Sequence, residues 1–159
     1  MNSTRVTQHL KASRAAVYRA LIDPQAIAQW RVPDGMTAEV HTFEAREGGQ
    51  FRISLTYETA EGAGKTSNRT DTYHGRFLKL VPNEQVVEVE EFETDDPALR
   101  GEMKSTITLR DTAGGTELVA VHENLPPGLS PADNEAGWKM SVAKLAKWVE
   151  AKKPGSPIA

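Results

Sequence analysis

The feature that most constrains this chain is a stretch over residues 37–123 in which apolar residues recur at a period near two, broken at intervals by Gly pairs or Pro-Asn. A period of two sends alternate side chains to opposite faces of a pleated strand, and short turns between such runs make neighbouring strands antiparallel. Six strands are expected, at about 37–46, 49–58, 69–80, 85–94, 101–111 and 115–123. Gly48-Gly49, Pro82-Asn83 and Gly114-Gly115 supply hairpin turns, and the Gly-rich, small and polar segment 59–67 is expected to be a mobile tip.

Helical signals flank this stretch. After a first short strand at 5–10, Ser13 is placed to cap a helix carrying Val17, Tyr18, Leu21 and Ile22 at helical spacing. Asp23-Pro24 stops it and starts a second helix, with Ile27 and Trp30 on one side. Near the other end, Ser130, Pro131 and Asp133 form a capping arrangement, and Trp138, Val142, Leu145 and Val149 then run at spacings of four, three and four. A sheet with one apolar face needs a cover, and this last helix is the only element long enough. The order of elements is strand, two short helices, six strands, long helix, which is an α+β class built on an antiparallel sheet.

With 159 residues and no sharp compositional shift, one domain over 1–152 is expected, followed by a tail, 153–159, with nothing to pack it. The absence of Cys excludes disulfides, thiolate metal sites and Cys nucleophiles. A net charge of -3 argues against nucleic acid or an anionic membrane as the main partner. No apolar run reaches membrane-spanning length and the first residues lack a signal-peptide core, so a cytoplasmic protein without membrane insertion is expected. Oligomeric state is left open.

Several segments in this order carry a family resemblance: Ala15-Ala16-Val17-Tyr18-Arg19-Ala20-Leu21-Ile22-Asp23-Pro24, Trp30 with Pro33, Gly49-Gln50-Phe51-Arg52-Ile53, Gly75-Arg76-Phe77 through Pro82, Gly115-Thr116-Glu117-Leu118 to His122, and Gly137-Trp138. Over about residues 4–151 the chain resembles the SRPBCC or START-like helix-grip superfamily, in the branch related to the activator of the heat-shock-protein-ninety ATPase. The resemblance implies a curved seven-stranded antiparallel sheet gripping the C-terminal helix around an internal cavity. It also implies a choice among hydrophobic-ligand carriers, chaperone activators and polyketide cyclases, because a fold hosts many functions.

Trp30, Phe51, Ile53, Tyr73, Phe77, Ile107 and Trp138 stand in phases that point toward the centre, where the ordinary role of each is core packing. As a set they form the expected apolar wall of a small-molecule pocket. Leu118, Ala120 and His122 share a strand face that by resemblance looks inward, and Ser141 interrupts the helix stripe beside Trp138. Small residues at inward positions make room, and His122 is the expected polar anchor. The segments 59–67 and 125–130 are expected to gate entry.

Catalytic residues are not assigned, since no nucleophile elbow or triad-orienting pattern is present; Tyr73 and His122 are the pair that a cyclase-like, dehydratase or hydrolase reaction would use as donor and base. His9, His41 and His74 have no spacing for a joint metal site, so no metal is expected. Gly62-Ala63-Gly64-Lys65-Thr66-Ser67 resembles a phosphate loop, but Thr59 stands where its first Gly is required, and no cofactor is expected. The acidic run Glu88, Glu90, Glu91, Glu93, Asp95 and Asp96 reads as a solvated strand face; the family resemblance, and not charge alone, adds a chaperone's basic surface as an alternative contact. The leading expectation is a binding protein for a small hydrophobic or amphipathic molecule, with a chaperone-interacting module and a cavity enzyme as alternatives.

Overall fold

A computed structural model describes residues 3–58 and 70–151 of the chain. The expected tip at 59–67 and tail at 153–159 lie outside the described residues. Strand β1 (Ser3–Leu10) is followed by helices α1 (Arg14–Leu21) and α2 (Pro24–Trp30). Six strands then run in succession: β2 (Met36–Phe43), β3 (Gln50–Tyr57), β4 (Thr70–Val81), β5 (Gln85–Phe92), β6 (Met103–Thr112) and β7 (Gly115–Glu123). Helix α3 (Pro131–Ala151) completes the order. The strands form one seven-stranded antiparallel sheet in the order β1-β7-β6-β5-β4-β3-β2. This is the helix-grip architecture that the resemblance implies, assembled from the antiparallel strands and terminal helix that alternation and turns predict.

Local chemistry sets the helix ends. Ser13 Oγ accepts from Ala16 N at 3.1 Å, and Asp23 Oδ1 accepts from Gln25 N at 2.9 Å with Pro24 in the first turn. Trp30 Nε1 donates to Ala20 O at 3.0 Å, which locks α2 against α1. Ser130 Oγ accepts from Asp133 N at 3.3 Å at the head of α3.

Two irregularities bend the sheet, one between Val40 and Thr42 in β2 and one between Phe77 and Lys79 in β4. Between them Gly75 leaves space for the Phe51 ring: a Cβ there would lie 2.7 Å from Phe51 Cζ and 2.0 Å from Val89 O. Phe51 in turn meets Phe77 and Tyr73, with ring centroids 5.2 and 6.3 Å away. Burying each such side chain contributes about 1.5–3 kcal/mol.

The core has an uneven depth. Val142, Leu145, Ala146 and Val149 of α3 pack into the main cluster with Leu10, Val17 and Leu118. Among the strands, β1 runs closest along the α3 backbone. A second, smaller cluster of Met103, Leu125 and Leu129 supports the segment between β7 and α3, and Gly128 N donates to Ala98 O at 2.6 Å to fix it. Among the described residues, no helix is long and apolar enough to cross a membrane.

Candidate functional site

Strand phase brings charge into the concave side of the sheet. On β5, Glu88 and Glu90 share a face with Val86, a core residue, and they are only 2% and 4% exposed. The solvated-face reading of the acidic run therefore fails for these two residues. It holds better for Glu91 and Glu93, which are partly exposed on or just beyond the strand; Glu93 pairs with Arg52 at 2.8 Å on the outer side.

Arg31, at the C-terminal cap of α2, answers this buried charge by pairing with Glu88. Its guanidinium also lies 5.8 Å from the Tyr73 ring centroid and 5.6 Å from that of Trp138, close enough for cation–π attraction. Burial works against the Arg31 charge, but Glu88, Tyr73 and Glu90 outweigh it and hold its pKa above the ordinary value. Burial raises Glu88 above the usual carboxylate range despite Arg31, and the neighbouring Glu90 adds to the rise. One guanidinium does not fully compensate two carboxylates. Tyr73 is pushed up to about 12, first by burial and then by Glu88 and Glu90 against the opposing effect of Arg31, so its hydroxyl keeps its proton at neutral pH.

His122 links the sheet to α3. Its Nδ1 accepts from Trp138 Nε1 at 3.1 Å, and Asn134 Nδ2 approaches the same atom at 3.0 Å. An indole nitrogen only donates, so Nδ1 carries no proton and the neutral ring holds its hydrogen on Nε2. Nε2 faces Glu90 Oε1 at 2.9 Å, a close electrostatic contact out of line for a formed hydrogen bond. Ser105 Oγ donates to the same Glu90 oxygen at 2.6 Å. The other carboxylate oxygen, Oε2, is buried and has no hydrogen-bond partner among the described residues. Through Nδ1, whose lone pair takes the Trp138 indole hydrogen, the imidazole ties α3 to the sheet.

Above this polar floor lies a cavity of about 490 Å³. Arg31, Pro33 and Met36 line one side, and Tyr57, Tyr73, Phe92 and Met103 come from the strands. The 128–130 segment and the first turns of α3, through Trp138, Met140 and Ser141, close over it. The size and the mixture of aromatic walls with a few polar groups suit a small organic ligand.

Of the residues singled out in the sequence, the structure brings Tyr73, His122, Trp138 and Ser141 together around this cavity. Trp30, Phe51, Ile53, Phe77 and Ile107 lie in the solid core beside it. Leu129 and Ser130 of the expected 125–130 gate stand at its edge, while the 59–67 gate falls outside the described residues. Sequence reasoning missed Arg31, Glu90, Ser105 and Asn134. The available signal for Glu90 was its phase with Val86 and Phe92, two apolar residues on the same strand.

The family model for activator of Hsp90 ATPase homolog 1-like protein matches residues 11–150. The chain belongs to this family. Among solved structures, protein CV1439 from Chromobacterium violaceum is 34% identical with a TM-score of 0.84, over 94% of this chain and 97% of that one. The AHSA1-like protein from Aeromonas hydrophila is 17% identical with a TM-score of 0.73, covering 99% of both chains. DynU16, from the dynemicin biosynthetic locus, is 22% identical with a TM-score of 0.66, over 97% of this chain and 49% of that chain. Among curated proteins no match is found. The AHSA1-like helix-grip fold is generally a ligand-binding one.

Proposed function

We propose that this AHSA1-like protein binds a small amphipathic organic molecule in the space between the sheet and the N-terminal half of α3. The observation that carries this reading is the cavity of about 490 Å³, walled by aromatic and Met side chains over a buried polar floor. Tyr73 and Trp138 supply apolar area, while Glu90 and the Tyr73 hydroxyl supply orientation. Removing apolar surface from water contributes about 25 cal/mol per Å², offset by the cost of ordering and association.

The test is a thermal-shift screen of the full chain against aromatic and aliphatic amphiphiles, repeated on Ser141→Leu, which puts three further carbons into the cavity in place of the hydroxyl from a buried helix position. A ligand at one hundred times its Kd stabilises by roughly 2.7 kcal/mol, enough for a shift of several degrees. Compounds that raise the wild-type Tm should leave that of Ser141→Leu unmoved. If no compound class stabilises the wild type, the binding reading is wrong.

A second reading, activation of a chaperone ATPase, is favoured by the family's description. Such a role would use the outer surface, where Leu78, at 43%, is the one large apolar side chain exposed among the described residues. Co-purification with the chaperone together with a rise in its ATPase rate would support this role, and no association at high protein concentration would remove it.

A further inference from the structure

The accounting of charge around the cavity points to the chemical class of its occupant, an inference that rests on the binding reading above. Carboxylates from Asp34, Glu90 and Asp133 line the cavity among the described residues, against one guanidinium, Arg31, which is committed to Glu88. Asp34 has a counter-charge of its own, Lys144 Nζ at 3.1 Å. Glu90 differs, because its nearest positive group is shared. His122 is neutral by its Nδ1 contacts, Ser105 serves only Oε1, and the buried Oε2 has no donor among the described residues. A buried carboxylate oxygen without a donor is costly, and the terminal torsion of a Glu is soft enough to turn that oxygen toward a guest.

The walls favour the same kind of guest. Arg31 already lies within 6 Å of two ring centroids, those of Tyr73 and Trp138, and Tyr57 and Phe92 extend the aromatic lining. Rings of this kind attract a cation through their negative faces. An anionic guest would meet the acidic lining with its own charge.

We propose that the cavity selects an organic cation, a protonated amine on an aryl or alkyl body, whose N–H donates to Glu90 while the body packs on the aromatic wall. The amine then supplies the donor that Glu90 lacks and the positive charge that the second buried carboxylate lacks.

Three probes of one shape test this: phenylbutylamine, phenylbutanol and phenylbutyrate, titrated calorimetrically into the full chain at neutral pH. The amine should bind about tenfold tighter than the alcohol, with phenylbutyrate weakest. Glu90→Gln should bring the amine down to the level of the alcohol measured on the same variant, so that the tenfold preference disappears. An alcohol that binds as tightly as the amine, or a butyrate that binds tightest, overturns the charge assignment while leaving cavity binding intact. So does a Glu90→Gln protein in which the amine keeps its advantage; if that variant does not fold, the wild-type ranking decides alone. No binding by any of the three, together with an empty thermal-shift screen, removes both readings.

Discussion

At the scale of single residues, the most consequential placement is Arg31 beneath two carboxylates. Its partner Glu88 and the adjacent Glu90 are both nearly inaccessible, so the guanidinium offsets charge that water would otherwise solvate. Replacing one member of a buried ion pair leaves an uncompensated charge, whereas replacing both by apolar side chains removes the desolvation cost as well. Arg31→Met is therefore expected to lower the unfolding free energy in urea by about 3–5 kcal/mol, and the double variant Arg31→Met with Glu88→Met to recover most of that loss. Additive losses in the double variant would show that the pair does not act as a unit. This cluster was poorly legible in the sequence for a physical reason. Val87 and Val89 fill the opposite phase of β5, so both faces of the strand contain apolar residues and periodicity alone does not say which face the glutamates share. Their direction follows from register, since Glu90 stands opposite Gly75, between the inward-facing Tyr73 and Phe77 of β4.

At the scale of elements, polar side chains tie β3 and β4 to the residue that follows β5 on the outer face of the sheet. Arg52 of β3 makes two hydrogen bonds to Glu93 at 2.8 and 2.9 Å, and His74 of β4 meets the same carboxylate at 3.0 Å. The Arg52 hydrogen bonds are the chief reason that the Glu93 pKa lies below the ordinary carboxylate value. A carboxyl with a depressed folded pKa contributes its stability fully above the unfolded value and loses it as pH falls through the folded one. Because the pair is partly solvated, Glu93→Gln should cost only about 0.5–1 kcal/mol at neutral pH. The gap between variant and wild type should close as the pH is lowered through the depressed titration of the folded carboxyl. A gap that stays constant in urea titrations over that range would assign the loss to packing instead. The elements themselves were the most legible part of the sequence, because caps and turns are local chemistry. Ser13, Asp23 and Ser130 cap the helices expected from them, and Gly48 and Gly114 adopt the positive φ of +79° and +81° that their turns require. The bulges in β2 and β4 were not legible, since they depend on the partner strand.

At the scale of the whole molecule, α3 divides its labour along its length. Its C-terminal half, through Val142, Leu145 and Val149, closes the core against β1 and the short helices, and its N-terminal half, through Trp138 and Ser141, roofs the cavity. The sequence showed one continuous apolar stripe, and it does not distinguish a stripe that meets packed side chains from one that meets space. That depends on the curvature of the sheet and on where α3 lies across it. The division predicts opposite responses to two substitutions one helical turn apart. Leu145 is fully buried among packed neighbours, so Leu145→Ala should remove about 2–5 kcal/mol through lost transfer energy and the void left behind. Ser141→Leu adds volume where volume is missing and removes a buried hydroxyl, so its stability should stay within about 1 kcal/mol of the wild type or rise above it. Ligand binding should follow the reverse order: retained in Leu145→Ala at temperatures where that variant is folded, and lost in Ser141→Leu. Unfolding curves and phenylbutanol titrations on the same two proteins measure both halves of the expectation. A Ser141→Leu protein that is strongly destabilised would mean that the first turns of α3 rest on a filled interior, and that the space beneath them is no receptor for a guest.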